Sequence, residues 1–167
     1  MIEQGRRLIE SLASQFFTAK SRATLGASIG GHLRHNLDHY ACFLRGIDCG
    51  RVDYDERERA EGIETQPAVA VAALVRAAEG LGGVAEAVFD RDLLVRMDTG
   101  DTDERPWTRS TGRRELQFLL SHTVHHYALI AMICRMHDQP IEQDFGVTPS
   151  TIKHRRRAVA APAACAR

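Results

Sequence analysis

Two well-separated stretches of this chain put clustered histidines onto sequence that reads as apolar helix. One is Gly30-Gly31-His32-Leu-Arg-His35-Asn-Leu-Asp38-His39-Tyr40, the other Ser121-His122-Thr-Val-His125-His126-Tyr127. Six of the eight histidines fall there. Two imidazoles at i and i+4 differ by only about 40° around a helix, so His122 and His126 point the same way, one turn apart. Leu119, Leu129 and Ile133 share that side. Buried imidazoles need hydrogen-bond partners or a metal ion. The fold must therefore bring these two helices together, or leave polar rings stranded among apolar ones.

The remaining helices follow from periodicity. Leu8, Ile9, Leu12, Ala13, Phe16 and Phe17 predict a helix over about residues 2–20. Ser28 is a suitable N-cap for a second helix, to about residue 47, with Ile29, Leu33, Leu37, Tyr40 and Leu44 along one stripe. Thr65 followed by Pro67 opens a third, which runs through an alanine-rich segment to Gly80–Gly83. Ser110 or Thr111 opens the last, over about 111–137, and its apolar content marks it as the central helix. The run Leu93–Met97 has strand character but no visible partner. These signals predict an all-α four-helix bundle over residues 1–140. A short C-terminal extension follows over 141–167, its last residues frayed.

Two polar segments are harder to place. Asp53-Tyr54-Asp55-Glu56-Arg57-Glu58-Arg59 shows no apolar face and reads as a solvated connector. Directly after the first histidine helix, it is also placed to cover a site there. Residues 98–109 read as a polar loop holding Pro106 and the only tryptophan, Trp107.

Composition narrows the classes of function. Lys+Arg and Asp+Glu both number 22, which disfavours nucleic acid or an anionic membrane as the main partner. No apolar run is long enough to span a bilayer, and the N-terminus lacks a signal-peptide core, so cytoplasm is expected. Cys42, Cys49, Cys134 and Cys165 form no C-x-x-C pair and read as free thiols. The stretch Phe145–Arg157 has the look of a helix-turn-helix recognition helix, but Pro140 and Glu142-Gln143-Asp144 leave no helix before the turn.

The two histidine motifs resemble those of the DinB-like (DinB/YfiT) superfamily, small bacterial four-helix metalloproteins. Ser28 is followed seven residues later by His35 and then by Asp38, as in the second-helix motif of that superfamily. His122-Thr-Val-His125-His126 is similar to its last-helix motif, His-x-x-His-His. The likeness covers about residues 5–137. It implies a bundle with non-simple helix order and a metal held by His35, His122 and His126. Related members bind nickel, zinc or iron, and some act on low-molecular-weight thiols. Many continue the last motif as His-His-Arg-Gly-Gln, where this chain has His126-Tyr127-Ala128-Leu129. That departure, with the extra His32 and His39, keeps a specific thiol from being carried over.

The expectation is a metal-dependent enzyme with one divalent ion, zinc or nickel given all-nitrogen ligation, with iron also open. His125 or His39 would carry protons, and Asp38 would orient an imidazole N–H. The substrate would be a small molecule, with a thiol among the candidates. An apolar helix face leaves room for a homodimer. The competing reading is a non-catalytic metal-binding or stress-response module.

Overall fold

The computed structural model describes residues 1–20, 26–100 and 105–160. Cys165 and the end of the tail lie outside the described residues. The elements are α1 (Ile2–Ser11), α2 (Ser14–Phe17), α3 (Ile29–Gly46), β1 (Arg51–Asp53), α4 (Glu61–Thr65) and α5 (Pro67–Gly83). They continue with α6 (Glu86–Phe89), β2 (Asp92–Arg96), β3 (Thr108–Thr111), α7 (Gly112–Met136) and α8 (Pro149–Ala160).

The protein is mostly helical, but the all-α expectation needs correction. β2 pairs in parallel with β1 and antiparallel with β3, in the order β1-β2-β3. The partners missing from the sequence reading lie in the two segments read as polar connectors. Val52, just before the charged run, and Tyr54, within it, are buried. A three-residue strand is too short to show alternation, and its partner Leu94 stands far along the chain from Arg51.

The helices start where caps permit. Ser28 accepts a hydrogen bond from the Gly31 N–H, and Thr111 accepts one from Arg114. Pro67 opens α5, but Gln66 rather than Thr65 occupies the cap position; Thr65 instead donates to the Glu61 carbonyl and closes α4. The helix expected over 2–20 breaks after Ser11, where Leu12 and Ala13 turn extended. The chain is helical over Pro149–Ala160, and the last residues, expected to fray, lie outside the described residues. Thr148 accepts a hydrogen bond from the Thr151 N–H at its start. Between Met136 and Pro149 the described chain forms no helix. Phe145 there stacks on Tyr127 with ring centroids 4.6 Å apart, and Glu142 pairs with Arg7.

The central position belongs to α3, not to α7 as its composition suggested. α3 packs against α4, α5, α7 and β1, while α7 packs against α3, β3 and α6. Phe17, Ile29, Leu33, Phe43, Leu74, Leu119, Ile130 and Ile133 fill the space between them. A second bond set fixes the register of α3 on α7. The Tyr40 hydroxyl lies 2.8 Å from Thr123 Oγ1, and Thr123 donates to the Leu119 carbonyl at 2.7 Å. No helix is long and apolar enough to cross a membrane among the described residues.

Two glycines let the segment between α3 and α5 lie directly on α3. A Cβ at Gly46 would stand 2.1 Å from the Arg51 carbonyl oxygen and 2.9 Å from Val52 Cα. One at Gly30 would stand 2.0 Å from the Glu64 carbonyl oxygen. Both obstacles are backbone and cannot rotate away. Gly46→Ala should therefore lower the urea-unfolding free energy by roughly 2–3 kcal/mol through overpacking. Gly82→Ala in α5 has open space around the new Cβ. It should gain roughly 0.5 kcal/mol from helix propensity. Equal effects at the two positions would contradict the packing of β1 on α3.

Candidate metal centre

Five imidazoles from α3 and α7 meet in one cluster. Ring centroids are 4.7 Å apart for His35 and His39, 5.1 Å for His35 and His122, and 4.2 Å for His39 and His122. His126 stands 4.7 Å from His35 and 4.5 Å from His122. His32 joins through its Nδ1, 3.0 Å from Nδ1 of His126. One of those two atoms donates and the other accepts, so the pair shares a single proton.

Within the cluster, ligand atoms of His35, His39 and His122 all lie within 4.8 Å of one another. Nitrogens on one tetrahedral ion at ~2.1 Å would be ~3.4 Å apart, so a modest ring adjustment closes the set. The chemistry of these donors fits a cation. His39 Nδ1 lies 2.9 Å from the His35 carbonyl oxygen, which only accepts, so its proton sits on Nδ1 and its lone pair on Nε2. His122 Nε2 is buried and has no hydrogen-bond partner. An orphaned ring nitrogen at this depth is costly unless something coordinates it.

Electrostatics keep the rings neutral, as ligands must be. Burial pulls His35 down to about 4, helped by neighbouring His39 and Arg57. Burial, with His39 and His35 nearby, pulls His122 down to about 3, and burial beside His122 and His35 does the same to His126. His32 and His39 are lowered for the same first reason.

The other sequence candidates fall differently. Asp38 is buried, yet Arg34 takes its carboxylate at 2.9 Å and binds Glu64 as well. The orienting partner of His39 is thus the His35 carbonyl rather than Asp38. Burial still raises the Asp38 carboxyl above its ordinary value, against the opposing pull of Arg34. His125 is exposed, its ring centroid 5.0 Å from that of His126. Cys42 and Cys134 are free and buried, and burial raises both thiols, Cys134 to about 11.

A cavity of about 560 Å³ opens onto the cluster, lined by His35, His39 and His122 with Tyr54, Arg57 and Phe118 among others. Tyr54 stacks beside His39 with centroids 5.6 Å apart, and Phe118 lies similarly against His122. Tyr54 donates to buried Glu115 at 2.8 Å. The site roles of Tyr54, Arg57 and Phe118 were not assigned from sequence. The one available signal was the charged run that follows the first histidine helix, since β1 carries it back over α3.

Known structures bear on this arrangement. The chain superposes on a DinB-like protein, YjoA, of Bacillus subtilis with a TM-score of 0.62 and 19% identity. The match covers 83% of this chain and 88% of that one. The chain has the DinB-like fold. The likeness drawn from the histidine motifs thus holds for the fold, over a similar share of the chain. Among curated proteins, the chain is 28% identical over 105 residues to FK506-binding protein 5 of Rhizopus delemar. That match takes in 62% of this chain and spans only 27% of that protein's length. No protein-family model matches the chain.

On the DinB-like fold the lowered imidazoles have a thermodynamic consequence. In metal-free protein, each folded ring titrates below its unfolded value of about 6.5. Between those values the unfolded chain binds more protons, so stability is present above about pH 6.5 and is lost as pH falls toward 3–4. Each such ring should cost chelated protein up to about 2 kcal/mol between pH 7 and pH 5, read from urea midpoints. His122→Ala should flatten the profile. A pH-independent midpoint over this range would contradict the burial of neutral rings.

Proposed function

We propose that this protein is a metal-dependent enzyme of the DinB-like superfamily. In this reading α3 and α7 of a four-helix bundle hold one divalent transition-metal ion, zinc or nickel, and the substrate is a small molecule. The observation that carries the reading is the triad His35, His39 and His122, whose ligand atoms all lie within 4.8 Å beside an open cavity. All-nitrogen ligation suits zinc and nickel. The triad shares His35 and His122 with the set implied by the family motif, and takes His39 in place of His126. Free Cys42, Cys49 and Cys134 fit a reducing compartment, the cytoplasm.

An ion held there would supply Lewis acidity and lower the pKa of a coordinated water or thiol toward neutrality. The rest is done by the chain. His35, His39 and His122 bind through neutral rings. The His35 carbonyl orients His39 by holding its Nδ1–H. His126 shares a proton with His32 at Nδ1, which fixes that ring pair beside the ligands. Exposed His125, against the His126 ring, is placed to carry protons to solvent. Tyr54 and Phe118 wall the cavity and exclude water from two of the rings. An open cavity beside the ligands favours an enzyme over a module that only stores metal.

Untagged protein as isolated should carry about one zinc or nickel per chain by elemental analysis. His35→Ala and His122→Ala should remove it. His39→Ala should weaken binding more than tenfold, while His126→Ala should retain most of the metal and alter the pH profile of turnover. Metal-free wild type with intact activity on thiol or ester substrates would overturn the proposal. Metal loss in His126→Ala but not in His39→Ala would return the site to the motif-derived set.

A further inference from the structure

Among the described residues, Arg57 is a cation with no paired carboxylate at the mouth of the histidine cavity. Its Nη1 lies 3.5 Å from His35 Nδ1, at the outer limit of a hydrogen bond. Its Nε is buried and has no partner. No carboxylate pairs with it among the described residues, although the surroundings are rich in acids. The acids that line the cavity, and most of those around it, have partners of their own. Asp38 and Glu64 hold Arg34, Asp53 holds Arg96, and Glu58 holds Arg45. Asp55 accepts from Arg105 and from the Asp98 N–H, and Asp98 accepts from the Gly100 N–H. Leaving a guanidinium N–H dry and unpaired costs stability, and an anion bound at the cavity face of Arg57 would offset that cost.

The space beside Arg57 has a second character. The histidine cavity shares Tyr54, Met97, Thr99 and Phe118 with a neighbouring cavity of about 280 Å³. Val95 and Pro106 extend its apolar wall. A ligand that spans both would meet a planar cation and imidazoles at one end, and at the other an aromatic and aliphatic surface bordered by Arg96, Arg114 and Glu115.

We infer that the site takes a small molecule bearing a carboxylate, held by Arg57 beside His35, with an apolar portion lying against Tyr54, Met97 and Phe118. This names the substrate class for the reaction centre proposed above and rests on that reading only for where the reacting group lies. The anion position rests on Arg57. A guanidinium presents Nε–H and Nη–H in the fork that matches two carboxylate oxygens, which a lysine cannot reproduce.

The test is calorimetric binding of a series of aryl alkanoates, phenylacetate through 5-phenylpentanoate, each beside its carboxamide. Untagged protein is used as isolated and again after chelation, with metal content measured in parallel. At least one acid should bind at least tenfold tighter than its amide. Arg57→Gln should erase that preference with folding and metal content unchanged. Arg57→Lys should restore part of it, and Arg59→Gln, exposed on the same segment, should leave it intact. Phe118→Ala should weaken acid and amide alike. Persistence of the preference after chelation supports Arg57 over the metal as the anion site. Absence of binding by every acid, equal binding of acid and amide, or an undiminished preference in Arg57→Gln overturns the inference. Protein that is isolated without metal and still shows the Arg57-dependent preference would count against the metal reading and leave this one standing.

Discussion

The seating of α3 on α7 is the constraint from which the site follows. It is fixed by a buried polar contact as much as by apolar packing. Tyr40 meets Thr123 at 2.8 Å, and Thr123 also lies 3.3 Å from Asn36, all three buried. Tyr40 follows His39 directly, and Thr123 follows His122. A slip of one residue along either helix would break this contact and swing the rings apart. Buried polar groups of this kind are costly when unpaired, so they select one register where leucines alone would tolerate several. The imidazoles inherit that register.

A second dependence runs through the segment between α3 and α5. It returns over α3 because Gly46 and Gly30 leave room for its backbone, and because β1 is pinned to β2. It thereby delivers Tyr54 and Arg57 to the cavity. The small sheet is a minor part of the fold by size, yet it converts a pair of histidine helices into a walled site. Arg96 on β2 holds Asp53 on β1, and Tyr54 reaches across to Glu115 on α7. The walls are therefore tied to both histidine helices.

Much of this was legible in the residues, for reasons that can be stated one by one. α3 and α7 declared themselves through apolar periodicity and through Ser28 and Thr111, whose hydroxyls cap them. Convergence of the two histidine clusters followed from the cost of burying unpartnered rings. What stayed hidden depended on contacts distant in sequence. Three residues of β1 carry no pattern until Leu94, Val95 and Arg96 are beside them. The choice between His39 and His126 is invisible to spacing, because both lie on a suitable face of their own helix. The placement of the rings brings both His39 and His126 beside His35 and His122, and ties His126 to His32 as well. Asp38 looked like a partner for histidine, and Arg34, one turn earlier on the same helix, claimed it instead.

The account stands on imidazoles from α3 and α7 surrounding one cation. X-ray absorption at the zinc and nickel edges of the untagged protein, frozen as purified, tests that most directly. The expected spectrum has a first shell of nitrogen at about 2.0–2.1 Å, with outer-shell scattering from at least three imidazole rings. A shell of oxygen alone, or of sulfur from the cysteines, would contradict it.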